Sequence, residues 1–247
     1  MKNSIWLVIF IISGNFYCSI SFTLVCEFRL SSLKTIGQIY ECFSDKVPTK
    51  SGYNVTKISG IHSGGKKNEH VTSVFIVGSD ALIFFPRQIS KFFPNLVSFQ
   101  LFSTSIEILN GDELDEFGEK LKYFVLTFSK LKTISSHLFL KTPNVIFIWF
   151  QYNKITQVGH DLLTPFNLTR LQQVDFDNNN CISKNSRNNG ILELQIELRT
   201  SCRYDNEPTT TTVLTTPCTI CTTTKYEGRN CFYWDRKSRR KKFKNDL

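Results

Sequence analysis

The sequence predicts an α/β fold: a solenoid whose short strands stack into a parallel sheet on its concave face, with disulfide-closed caps and a disordered tail. Three observations predict it. Apolar triplets recur at intervals of 24 to 26 residues, two further apolar positions recur inside each interval, and cysteine pairs stand on either side of the repeating stretch. The expected organisation is 1–21 leader, 22–70 N-terminal cap, 71–180 repeats, 181–202 C-terminal cap, and 203–247 Thr-rich linker and basic tail.

The leader comes first. Lys2 precedes an apolar run from Ile5 to Ile12, which Ser13, Gly14 and Asn15 end. That run is too short to span a bilayer and matches the apolar core of a secretory signal peptide. Ser19 and Ser21 place cleavage after Ser21; an uncleaved membrane anchor is the alternative. The expected product is a secreted, extracellular protein with no membrane span. Of the eight cysteines, Cys18 leaves with the leader. The odd number that remains implies either a free thiol or an intermolecular bridge, the second of which would make a disulfide-linked dimer. Asn54-Val-Thr56 and Asn167-Leu-Thr169 are glycan acceptors in such a compartment, although short sequons also arise by chance.

The repeats follow. With Val71, Leu96, Leu121, Val145 and Leu171 as first positions, offsets 0, +3 and +5 read Val71/Val74/Ile76, Leu96/Phe99/Leu101, Leu121/Phe124/Leu126, Val145/Ile148/Phe150 and Leu171/Val174/Phe176. All are apolar. So are Phe84, Leu109, Ile134 and Val158 at +13, and Ile89, Leu114, Phe139 and Leu163 at +18. Positions +3 and +5 fall on one face of a strand. The pattern predicts strands near 72–77, 97–102, 122–127, 146–151 and 172–177.

Val145 to Ile155 (VIFIWFQYNKI) and Leu171 to Cys181 (LQQVDFDNNNC) resemble the leucine-rich repeat, L-x-x-L-x-L-x-x-N-x-I/L at a 20–29-residue period. The likeness covers about Val71 to Cys202. It is similar to small secreted insect leucine-rich-repeat proteins and to the ectodomains of Toll-like and adhesion receptors. The resemblance implies stacked coils and a recognition role. The sequence departs from it at +8, where Ser79, Thr104 and Ser129 precede Asn153 and Asn179. A hydroxyl does part of what an amide does, so the first three coils are expected to be looser.

Open ends of such a stack need caps. Cys26 to Cys42 fits the N-terminal one, with Tyr53 to Ile61 as its last strand. Cys181 to Cys202 fits the C-terminal one, with Ile191 to Thr200 as a helix whose Leu194 and Leu198 share a face. Cys26–Cys42 and Cys181–Cys202 are the favoured pairings, though others are open.

Function is expected on the concave face. Offsets +2, +4 and +6 present Phe75, Phe102, Tyr123, Phe147, Trp149, Gln151, Asp175 and Asp177 as candidate ligand-binding residues. Large exposed rings anchor interfaces; coverage by a loop or glycan, or simple strand preference, is the bland alternative. The expected partner is an extracellular protein or glycan. The tail is a second candidate. Much of the formal charge of +9 lies in 236–244, where Arg236, Lys237, Arg239, Arg240, Lys241 and Lys242 would bind an anionic polysaccharide or hold a matrix or adhesion protein in place. A processing site or a solvated tail would read the same way. Cys218-x-x-Cys221 suits a local disulfide or a bridge to Cys231 better than zinc. His62, His70, His137 and His160 lie in no nucleophile or metal motif, and no catalytic signature is present. Neither enzyme activity, cofactor nor metal is expected.

Overall fold

The computed structural model describes residues 21–46, 54–79 and 82–204. The leader and the basic tail, with the residues assigned to them at 1–20 and 205–247, lie outside the described residues, as do Cys218, Cys221 and Cys231.

The strands are β1 (Ser21–Val25), β2 (Glu27–Leu33), β3 (Gly37–Ser44), β4 (Asn54–Ser59), β5 (Ser73–Ser79), β6 (Ser98–Thr104), β7 (Ile108–Leu109), β8 (Tyr123–Thr127), β9 (Thr133–Ile134), β10 (Phe147–Trp149), β11 (Gln157–Val158), β12 (Gln173–Asp175) and β13 (Asn185–Arg187). One α-helix, α1 (Ile191–Ser201), follows. Eight strands form one sheet in the order β13-β12-β10-β8-β6-β5-β3-β2; β11-β9-β7 form a second, and β1-β4 a third.

This corrects the expected α/β solenoid. The described residues are mostly β, and the large sheet is mixed: β2 pairs with β3, and β12 with β13, in antiparallel fashion. Among the described residues, the segments between its strands hold no α-helix. They are turns, 3₁₀ turns at Asn68–His70 and Asp115–Lys120, and the two-residue strands of the small parallel sheet. Pro86, Pro94, Pro143 and Pro165 stand in these segments and deprive them of helix donors.

The register of the central strands follows the apolar period. Ser73 pairs with Ser98, Ser98 with Tyr123, Tyr123 with Phe147 and Phe147 with Gln173, all in parallel. Every residue at offsets 0, +3 and +5 is buried. Six Phe rings are fully enclosed, among them Phe99, Phe124, Phe150 and Phe176. Adjacent rings meet edge to face or tilted, as in Phe124 on Phe150 at 5.7 Å and Phe150 on Phe176 at 5.3 Å. Each buried ring contributes roughly 1.5–3 kcal/mol by leaving water. Offset +13 fails once. Phe84 is exposed, and Phe85 turns in instead to meet Phe99 at 5.3 Å.

Both disulfides are closed, with Cα separations of 4.9 Å for Cys26–Cys42 and 5.2 Å for Cys181–Cys202. The strand at 54–59 does not extend the large sheet. It pairs with β1, and the end of β3, Glu41 to Ser44 around Cys42, takes the place beside β5. Gly60 follows β4 at φ 148°, where a Cβ would lie 2.2 Å from the Cys26 carbonyl oxygen. Helix α1 buries Ile191, Leu194 and Leu198 as expected, and exposes Leu192 and Ile196. No helix among the described residues is long and apolar enough to cross a membrane.

Candidate functional site

Alternation along β5, β6, β8, β10 and β12 sends the even offsets to the sheet face opposite the core. That face carries the candidate residues, but burial divides them. Phe75, Phe102, Trp149, Gln151 and Asp177 are half-buried. Tyr123, Phe147 and Asp175 are buried, against the exposure expected of them.

Each of the three has a structural tie. Tyr123 and Phe147 stack at 4.4 Å, and Trp149 meets both edge-on, at 6.5 and 6.4 Å. The turn between β2 and β3 reaches this cluster, where the Thr35 hydroxyl hydrogen-bonds the Tyr123 hydroxyl. Asp175 accepts from the Asp177 backbone N–H at 2.9 Å and from Asn185 Nδ2 at 2.6 Å, which fastens β12 to β13. Burial pushes its carboxyl above the ordinary aspartate value. Trp149 is different: its indole N–H is enclosed and has no partner.

The +8 position forms a polar column under the same strand ends. Asn153 Nδ2 donates to the carbonyls of Leu126 and Phe150 at 2.7 and 2.9 Å, and its Oδ1 accepts from Ser129 N at 3.1 Å. Asn179 repeats this one strand on, donating to Phe150 and Phe176 and accepting from Ile155 N. Where amides are absent, hydroxyls connect: Ser129 Oγ receives Thr104 N at 2.9 Å and donates to Thr127 O at 3.0 Å.

Beside that column runs a feature that the even offsets do not include. At +7 the backbone is left-handed in every repeat: Gly78 at φ 66°, Ser103 at 57°, Phe128 at 53°, Tyr152 at 55° and Asn178 at 57°. Glycine adopts this conformation freely, and asparagine tolerates it. For a bulky ring it costs about 1 kcal/mol. Phe128 and Tyr152 are nevertheless 46% and 45% exposed, so no core burial offsets the cost. Phe128 lies between two rings, Phe102 at 4.7 Å and Tyr152 at 4.3 Å, the latter nearly parallel at 14°. Positive φ at a non-glycine residue is not readable from the apolar period; spacing of aromatics at +7 was the available signal.

Elsewhere, a polar recess of about 490 Å³ is lined by Asn54, Arg87, Asp112, Glu113 and Glu116 among others. Its charges are used internally. Arg87 makes a two-pronged pair with Asp112 at 2.8 Å, which holds the Asp112 carboxyl below its usual value. Glu116 accepts the N–H groups of Gln88 and Ser90. Burial pushes the carboxyls of Glu113 and Glu116 up. His62 stacks on Phe28 at 3.7 Å and bridges the Tyr40 hydroxyl and Asn68 Oδ1, at 3.1 and 2.9 Å, so it fastens the cap. Among the described residues, no group of three or more His, Cys, Asp or Glu side chains is placed to hold a metal ion. Of the two sequon residues, Asn167 is exposed, with its Oδ1 accepting from Thr169 Oγ1 at 2.7 Å; Asn54 is half-buried in β4 at the rim of the recess.

No family model matches the chain, and no curated protein is significantly similar to it.

Proposed function

We propose that this protein is an extracellular recognition protein that binds a protein or glycan partner on the outward face of the eight-stranded sheet. The observation that carries this reading is the strip of half-buried side chains on one sheet face: Phe75 of β5, Phe102 of β6 and Trp149 of β10, with Gln151 and Asp177 just beyond the ends of β10 and β12. Side chains on a hydrogen-bonded sheet lose little entropy on binding, and half-exposed aromatics supply the anchors. Two closed disulfides suit an oxidising compartment. The resemblance of 145–155 and 171–181 to leucine-rich repeats favours recognition over catalysis in the same way.

The test is a pull-down with the secreted protein from extracellular fluid and matrix, comparing wild type with a Trp149→Ala, Phe102→Ala variant. A partner retained by the wild type and lost by a folded variant is the expected result. Full retention of every partner by the variant would remove the sheet face from consideration.

A further inference from the structure

We propose that the aromatic column Phe102–Phe128–Tyr152, two of whose rings stand on left-handed backbone, is the part of the recognition surface that contacts a protein partner, and that it takes an acidic, apolar segment rather than a sugar. This rests on the recognition reading above and specifies its partner.

The column contains its own control. Gly78 and Asn178 occupy equivalent positions at almost the same φ. They show what this backbone accepts when conformation alone decides. Phe128 and Tyr152 meet the same demand with rings that are nearly half in water. Neither ring fills the core, so the fold gains little from them. Strain of this kind, kept at an exposed aromatic, belongs with binding surfaces.

The stacking decides the chemistry. A sugar packs on an open ring face. Phe128 packs against Phe102, tilted at 37°, and against Tyr152, nearly parallel at 14°, so the ring surface that meets inside the column is closed to a sugar. The surface left outside suits apolar side chains. Charge supplies the other half. Lys130 and Lys154 each stand two residues beyond a column ring, and both are exposed. Lys130 Nζ is held by Ser105 Oγ at 2.9 Å. Lys132, paired with Glu107 at 2.8 Å, lies in the same neighbourhood: Glu107 is held below its usual value by Lys132 first, and also by Lys130 and Lys154. Three lysines thus surround one carboxylate, Glu107, on this side of the column, while Asp177, whose carbonyl accepts the Tyr152 N–H at 2.9 Å, stands on the sheet side. The lysine side carries the excess positive charge and complements an acidic partner.

The experiment uses the full secreted chain, immobilised and screened against a phage-displayed random peptide library and a glycan array. Variants are Phe128→Gly with Tyr152→Asn, Lys130→Gln with Lys154→Gln, and Trp149→Ala. The first pair suits the left-handed backbone, so its melting temperature should equal or exceed wild type. Enriched peptides should combine acidic with apolar residues. They should bind at least tenfold more weakly to the ring variant, and severalfold more weakly, with a reduced salt dependence, to the lysine variant. The proposal is overturned if the enriched peptides show no acidic bias, if they bind both variants unchanged, or if the ring pair's loss abolishes glycan binding instead. It is also overturned if the ring variant is markedly less stable, since the rings would then be structural. Peptides that depend on Trp149 but not on the column would leave the recognition reading intact and remove this one. No enrichment on any surface would remove both.

Discussion

Asn153 does with one amide what Thr104 and Ser129 do with a relay of hydroxyls. Its amide satisfies the Leu126 carbonyl and the Ser129 N–H of the preceding repeat and the Phe150 carbonyl of its own turn. Replacement by alanine strands three groups with no access to water. Asn153→Ala should therefore destabilise by roughly 2–4 kcal/mol, measured as a lower urea midpoint at unchanged slope. A loss under 1 kcal/mol would mean that the carbonyls find other donors. The polar character of +8 was legible in the sequence, and looser early coils were expected from its hydroxyls. The structure instead shows Ser129 and Thr104 bonded to each other at 3.0 Å and to the backbone. The exposure of Tyr123 was misread because offsets fix which face a side chain takes, not what covers it. Its cover comes from Thr35, far away in the chain.

Among the elements, helix α1 was the most legible, because Ile191, Leu194 and Leu198 put three apolar residues on one face, against two, Leu192 and Ile196, on another. It makes a contrast that can be measured. Leu194→Ala or Leu198→Ala should cost about 2–5 kcal/mol, since both are enclosed. Leu192→Ala or Ile196→Ala should change stability by about 0.5 kcal/mol or less, since both are more than half exposed. Chemical denaturation of the four single variants checks this, and equal losses on both faces would contradict the packing. The hairpin of β2 and β3 was not legible. Its strands lie inside a cysteine-bounded loop that reads as a cap, and nothing local shows that β3 adds itself to β5 while β4 turns away to β1.

For the molecule as a whole, the period predicted the order and register of the central strands, because paired strands must bring equivalent apolar residues side by side. It did not predict the fold class. The period says nothing about what the chain does between strands. Antiparallel neighbours at both ends of the sheet had no periodic signal at all. Both ends are also where the disulfides stand. Each closes a short loop, with sequence separations of 16 and 21, and each should contribute roughly 3 kcal/mol. Calorimetry with and without thiol reductant should show a fall in Tm on the order of 10–20 °C. An unchanged transition would show that the sheet holds its ends without them.

The left-handed turn at +7 has one more consequence. The same bend is made by glycine, serine, phenylalanine, tyrosine and asparagine in successive repeats, so the ladder imposes the bend and the residue does not. Such a position is a socket. Its occupant can be exchanged, altering the chemistry the surface presents while the hydrogen-bonded frame behind it stays as it was. Surface chemistry and foldability are then separate problems for selection, and a lineage can revise the first many times without reopening the second.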